Sequence, residues 1–253
     1  MDFLAVGILG SLWGSFANVC IYRLPLKGGV VKGRSFCPKC KKKIFWYENI
    51  PILSYLILGG KCSKCKKKIS TQYLLVEAIS IFSFLIIYYL FGISLTTILL
   101  IILFLSFLII FFIDLKYYII PDILTFPMMV LGFVKSFDPN LNPIFPNYTN
   151  SLLGGIIGYG IIWLIIMFYK KIRNREGMGL GDAKLLAVIG FWFGWISIPF
   201  VIFLSSLIAL ITVIPDLLNK SKKLTSQIPF GPYIIVAAVI FIVFKDNFIK
   251  ILL

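Results

Sequence analysis

Long apolar runs broken by short polar stretches set the reading of this chain. Eight runs stand out, at 3–22, 72–92, 95–113, 118–135, 151–169, 183–196, 198–218 and 232–250. About 20 apolar residues are needed to cross a hydrocarbon core of roughly 30 Å, and most of these runs approach that length. The sixth is short, and the fourth carries Pro121, Asp122 and Pro127. Broken spans persist at membrane depth only where protein or a polar cavity satisfies the freed backbone, so these two point to a site. The predicted fold is an all-α membrane protein, a polytopic helical bundle of about eight transmembrane spans with a small polar loop after the first. The expected organisation is 1–22 as the first transmembrane span, 23–71 as a cytoplasmic insertion and 72–253 as the main transmembrane domain.

Composition agrees. Hydrophobic residues make up 60% and charged residues 14% of 253, against about 25% charged in a soluble domain. The first run lacks a basic n-region and a small-residue cleavage site, so it is expected to be a retained span. Net charge is +15. In a soluble protein that would suggest nucleic acid; here it reads as topology and attraction to anionic lipid, with no nucleic-acid partner expected. With the N-terminus outside, segments 23–71, 114–117, 170–184 and 219–231 face inward and hold 22 of the 25 Lys and Arg; Lys135, Lys245 and Lys250 remain outside. This predicts a cytoplasmic-membrane protein with both termini outside.

The polar insertion carries Cys37, Cys40, Cys62 and Cys65 in a C-x2-C-x21-C-x2-C pattern, and CPKCKKKI at 37–44 repeats as CSKCKKKI at 62–69 with seven of eight positions identical. Two thiolates on one tight turn fill two corners of a tetrahedron and a second turn fills the others, so the pattern predicts a zinc-ribbon-like site. Four cysteines leave no open coordination position, which makes the zinc structural. Neighbouring lysines are expected to favour the thiolates. The alternatives are disulfides, disfavoured in a reducing compartment, or idle thiols. Cys20, within the first span, reads as a packing residue.

There is no histidine. That excludes a His-based triad and an H-E-x-x-H peptidase and leaves carboxylates as the candidate chemistry. Charged groups at membrane depth are costly and usually functional; here they are Glu77, Asp114, Asp122 and Asp182. The topology puts Asp114, at the end of the third span, and Asp182, ahead of the sixth in GMGLGDAK, at the same membrane edge. Two carboxyls sharing a cavity cannot both ionise cheaply, so one can serve as base toward water and the other as acid toward a carbonyl. The helix dipole suggests Asp182 as base and Asp114 as acid. Gly177, Gly179 and Gly181 would admit an extended substrate. Each aspartate also has a plain structural reading, as a helix cap or span boundary, and Asp122 is expected to be structural. Glu77 either pairs with a loop lysine or contacts substrate.

These residues, taken in order, resemble the prepilin peptidases, or type IV leader peptidases. The resemblance runs through Gly14-Ser15-Phe16-Ala17-Asn18-Val19 and Tyr22-Arg23-Leu24-Pro25, the paired CxxC loop, Gln72-Tyr73-Leu74-Leu75-Val76-Glu77, Asp114, Pro121-Asp122, the GxGDxK run to Lys184, and Ile228-Pro229-Phe230-Gly231-Pro232. It implies a GxGD-type membrane aspartic peptidase that removes the short basic leader of type IV prepilins or related pseudopilins at the cytoplasmic face. Asp114 and Asp182 would be the catalytic pair, with Gly179, Gly181, Lys184, Asp122 and Glu77 supporting substrate. It also implies S-adenosylmethionine-dependent N-methylation, associated with the cysteine loop and with Gly60. On residue chemistry alone, two other readings stand: a proton- or metal-coupled transporter using the aspartate pair, and a membrane-tethered zinc module that binds a partner or nucleic acid.

Overall fold

The computed structural model describes residues 3–26, 29, 35–37, 39–141, 145–173, 179–218 and 227–252. Gly177 and most of the 219–231 segment lie outside that set. Among the described residues the chain is helical, with no strand and only two isolated bridges, Phe36 to Lys43 and Lys61 to Lys68. The α-helices are α1 (Phe3–Arg23), α2 (Leu53–Ile57), α3 (Thr71–Phe91), α4 (Leu95–Tyr117), α5 (Asp122–Val134), α6 (Tyr148–Arg173), α7 (Leu180–Phe193), α8 (Ser197–Leu218) and α9 (Gly231–Leu252).

Among the described residues, five helices are long and apolar enough to cross a membrane: α1, α3, α4, α6 and α8. The other three expected spans correspond to α5, with 13 residues, α7, with 14, and α9, whose described apolar part is Gly231–Phe244. Two expected boundaries move in ways that matter. The third span does not stop at Asp114, because α4 continues a further turn to Tyr117. Asp182 is not ahead of its helix but inside the first turn of α7. The expected start of the fourth span, 118–121, is not helical; Pro121 instead precedes α5, which begins at Asp122.

Two compact units divide within α4, Met1–Ile109 and Ile110–Leu253. In the first unit α1 packs on α3. The contact face of α1 is small: a side chain at Gly10 would come within 2.9 Å of the Ile81 Cα, and one at Gly14 within 2.9 Å of the Glu77 Cα. Gly10 and Gly14 thus form the small-xxx-small face by which helices approach closely in a membrane, where lipid is as apolar as leucine and association must come from packing. Asn18, one turn on, is buried and donates its side-chain amide to the Tyr73 carbonyl at 3.1 Å.

In the second unit α7 is the central helix. It packs against α5, α6, α8 and α9, and nearly its whole length is buried. Its seam with α6 is again glycine against glycine, Gly154 facing Gly190, with Gly158 against the Leu186 carbonyl. At the end of α7, Trp192 is fully buried and donates its indole N–H to the Met128 carbonyl at 2.8 Å. Lys135 is buried there too, its ammonium 3.1 Å from the Trp192 carbonyl and 3.8 Å from the Phe145 ring centroid. A cation at a helix C-terminus is favoured by the macrodipole, and the aromatic rings add to it.

The seam makes a prediction of opposite signs within one helix. Gly154→Ala drives a methyl into the Gly190 carbonyl, whereas Gly160 has nothing within 4 Å of an added Cβ. Gly154→Ala is expected to lower the detergent-solubilised melting temperature, with an overpacking cost of about 1–3 kcal/mol. Gly160→Ala is expected to leave it unchanged or raise it, since alanine gains up to about 1 kcal/mol over glycine in a helix.

Candidate active site and cysteine centre

The second unit holds a cavity of about 450 Å³. Its walls include Asp114, Tyr118, Ile120, Pro121, Asp122, Gly179, Gly181, Asp182 and Lys184. Both aspartates of the sequence-predicted pair therefore line one cavity, close enough for their charges to interact. Each is largely buried. Asp182 sits at the third position of α7, where its carboxylate reaches back to the Gly179 amide; this is the acceptor half of a capping box. Asp114 projects from the last turn of α4 and accepts the Gly231 amide at 3.0 Å. Gly231 is the first residue of α9.

Asp114 thus satisfies one of the unpaired amides at the start of another helix. The end of α4 and the start of α7 by themselves would separate the two acids through their dipoles. With α9 in place both carboxyls face helix N-termini, so the dipole does not distinguish base from acid.

Ile120 explains how two helix starts meet at one place. It is buried, and its side chain touches both glycines: a Cβ on Gly181 would lie 3.0 Å from the Ile120 Cβ, and one on Gly231 would lie 3.2 Å from its Cδ1. The same Cβ on Gly231 would fall 2.8 Å from the Asp114 Oδ2. Glycine at 181 and 231 is therefore a matter of space, not of backbone angle. Tyr118, just past the end of α4, has φ at +57° and donates its amide to the Asp114 carbonyl at 2.9 Å. That turn swings the chain into Ile120 and Pro121.

Asp122, at the cavity mouth, accepts the Lys184 ammonium at 2.6 Å. The Lys184 ammonium also lies 5.3 Å from the Phe126 ring centroid. The ion pair joins the first residue of α5 to the fifth residue of α7.

The four cysteines form a second centre, in the first unit. Their Sγ atoms lie within 4.8 Å of one another, with Cys37 to Cys65 and Cys40 to Cys62 each at 3.9 Å. A disulfide would need about 2.05 Å, and all four thiols are free. A tetrahedral ion with Zn–S bonds of about 2.3 Å spaces its sulfurs roughly 3.8 Å apart, so the donor set and the spacing fit a four-sulfur metal site. The internal repeat appears as two matching turns. Cys37 and Cys62 accept from the amides of Lys41 and Lys66, and those two lysines have φ of 56° and 55°.

Lys42 ties the turns together, donating to Glu48 at 2.8 Å and to Ser63 at 2.7 Å. The Lys42 ammonium, Ser63 and the Phe45 amide hold the Glu48 carboxyl down at about 2. Hydrogen bonds from the Cys65 and Lys64 amides lower the Cys62 thiol to about 6. Backbone amides therefore favour this thiolate, where lysine charge was expected to do so.

Two expected site residues belong to the first unit, with the cysteines, and are not among the residues that line the aspartate cavity. Glu77 pairs with no lysine in the described contacts. It accepts the Ile52 amide at 2.7 Å and a hydrogen bond from Ser15. Gly60 has φ at +65°, and a Cβ there would meet the Tyr55 hydroxyl at 2.9 Å. Turn geometry and the tyrosine ring account for glycine at 60. The sequence reading missed Ile120 and the Gly231 amide as parts of the aspartate site. The signal was present in Ile-Pro-Phe-Gly-Pro, where glycine before proline opens a helix.

A polytopic helical membrane protein, with two aspartates in one cavity and a four-cysteine metal-competent cluster, is the class these features define. The chain belongs to the type IV leader peptidase family. The family model of that name matches residues 99–214, and the Bacterial Peptidase A24 N-terminal domain matches 8–91. Among curated relatives, the prepilin leader peptidase/N-methyltransferase of Pseudomonas aeruginosa is 34% identical over 95% of this chain and 89% of its own. Those of Neisseria gonorrhoeae and Xanthomonas campestris pv. campestris are each 35% identical, over 95% and 94% of this chain and 89% of their own. No solved structure matches. Membership decides against the transporter reading, which nothing in these comparisons supports.

Two measurements follow from this geometry. Gly231→Ala pushes a methyl onto the Asp114 carboxyl and against Ile120 without replacing an ionisable side chain, and is expected to cut peptidase turnover at least about tenfold, near 1.4 kcal/mol in the barrier, and to lower the melting temperature by an overpacking cost of about 1–3 kcal/mol. The lowered Glu48 carboxyl contributes stability above its unfolded value, and that contribution is lost as pH falls toward about 2. The difference in melting temperature between wild type and Glu48→Gln should therefore be full at neutral pH and shrink on acidification below the ordinary glutamate range.

Proposed function

We propose that this protein removes the leader from type IV prepilins or related pseudopilins, using Asp114 and Asp182 as an aspartic dyad. The convergence of both carboxyls on one cavity supports this reading. The substrate's scissile peptide would enter past Gly179 and Gly181. One carboxylate takes a proton from water as the water oxygen bonds to the carbonyl carbon, and the other, protonated, hydrogen-bonds the carbonyl oxygen. The tetrahedral intermediate then breaks at its C–N bond, with the proton passing to the leaving amine. The leader leaves as a carboxylate and the mature chain as a new N-terminal amine. Lys184, paired to Asp122, holds the start of α7 against α5 and so positions Asp182.

The finer topology belongs to the same proposal: about eight spans in the cytoplasmic membrane, both termini outside, and the dyad at the cytoplasmic edge beside anionic lipid. We further propose that Cys37, Cys40, Cys62 and Cys65 hold a structural zinc. Their spacing supports this, and a closed four-sulfur shell gives the metal a folding role rather than a catalytic one. The relatives' names support a second activity, N-methylation of the new amine, for which S-adenosylmethionine would supply the methyl group. The 23–71 segment is the proposed region for it, and no nucleic acid is part of the account.

Leader removal from a synthetic prepilin, followed by mass spectrometry, tests the dyad. Asp114→Asn and Asp182→Asn keep side-chain size and remove the ionisable group. Each should lose at least about 100-fold in turnover, the usual scale of a positioned acid or base. Equal cleavage by both variants and wild type would sink the assignment. S-adenosylmethionine in the same tube should add a methyl-sized mass to the processed product only.

A further inference from the structure

The segment between the two cysteine turns carries an apolar surface that the metal site does not use. Trp46, Tyr47, Ile50, Leu53, Leu56 and Ile57 are all exposed, Trp46 at 74% and Ile57 at 83%. Three of them, Leu53, Leu56 and Ile57, belong to the five-residue helix α2. In a loop surrounded by water such a surface would be an aggregation liability.

The depth of this segment can be measured against two membrane helices of the same unit. Ile52 donates its amide to Glu77 at 2.7 Å. Along α3, Glu77 lies about 9 Å from the helix start at Thr71. The same carboxylate is held by Ser15 of α1, and Ser15 lies roughly 12 Å along α1 from Arg23. The serine side chain is too short to reach far along the axis, so the carboxylate sits well inside the helix pair. Ile52 is therefore held below the polar ends of both helices.

The local backbone agrees that Ile52 is pulled into place. Its φ is 61° and ψ −54°, and Leu53 donates to the Pro51 carbonyl at 2.6 Å, which is a γ-turn of positive φ. That conformation is rare, and for a β-branched residue it is a strained one. Strain persists where surrounding contacts over-determine it, and here the contact is Glu77.

We propose that Ile50–Ile57 dips into the membrane, as a re-entrant apolar segment at the level of the upper acyl chains, with Phe45–Asn49 at the level of the lipid headgroups and bilayer lipid as its partner. Trp46 and Tyr47 take the position of an aromatic belt. Leu53, Leu56 and Ile57 cover acyl chain, and the exposed Lys41, Lys43, Lys64 and Lys66 on the flanking cysteine turns meet anionic headgroups. This revises the expectation that all of 23–71 stands in the cytoplasm. The proposal needs only the membrane character of α1 and α3, not the peptidase mechanism.

The test places p-benzoylphenylalanine at Ile57 in the full chain, reconstituted in vesicles containing anionic lipid, irradiates it and reads the adducts by mass. Phe82, exposed on α3, is the lipid-facing reference, and Asn140, exposed in the polar loop after α5, is the aqueous one. Lipid adducts at 57 comparable to those at 82, and none at 140, are the expected result; Leu56 serves as a second position should the first variant fold poorly. Adducts at 82 with none at 57 or 56 would overturn the proposal, as would dominant crosslinks from 57 to a second protein chain. Glu77→Leu, which releases Ile52, should lower the lipid yield at 57 and leave that at 82 unchanged.

Discussion

A carboxylate buried among apolar helices needs a donor, and a helix start has amides to spare. In the second unit these two needs meet at the bond from the Gly231 amide to Asp114. The bond fixes the start of α9 against the last turn of α4. Ile120, pressed between Gly231 and Gly181, extends the same arrangement to the start of α7 and hence to Asp182. The cavity exists because three helix ends converge on one isoleucine, and larger residues at either glycine would separate them.

The first unit solves a similar problem with a different acid. Glu77 is buried between α1 and α3 and finds its donors in Ser15 and a loop amide. That choice couples the helix pair to the segment that carries the cysteine turns. The turns themselves are organised by their own backbone, through matched hydrogen bonds and matched positive φ at Lys41 and Lys66. The unit therefore brings its sulfurs to metal-binding distance through local turn geometry, with Lys42 bridging the halves.

Much of this was legible in the sequence, and the reasons differ by feature. Apolar run length located the helices because hydrocarbon thickness imposes it. The cysteine repeat announced its turns because each turn is encoded within eight residues. The aspartates were visible because charge is rare in such a chain. Helix ends were read less well: α4 runs a turn past Asp114 and α7 starts before Asp182, since hydropathy falls at a charged residue while helical hydrogen bonding does not. Ile120 and the partners of Glu77 were invisible because they depend on contacts between distant segments. Gly10 and Gly14 could have been found from their small-xxx-small spacing.

The most direct test of the account is a single turnover of prepilin cleavage in heavy-oxygen water with hydroxylamine present. Two carboxyls acting on water predict a released leader whose new carboxylate carries one heavy oxygen, with no hydroxamate formed. A leader recovered as the hydroxamate would mean that the peptide carbonyl is first transferred to a side chain of the enzyme, and would contradict direct attack by water between Asp114 and Asp182.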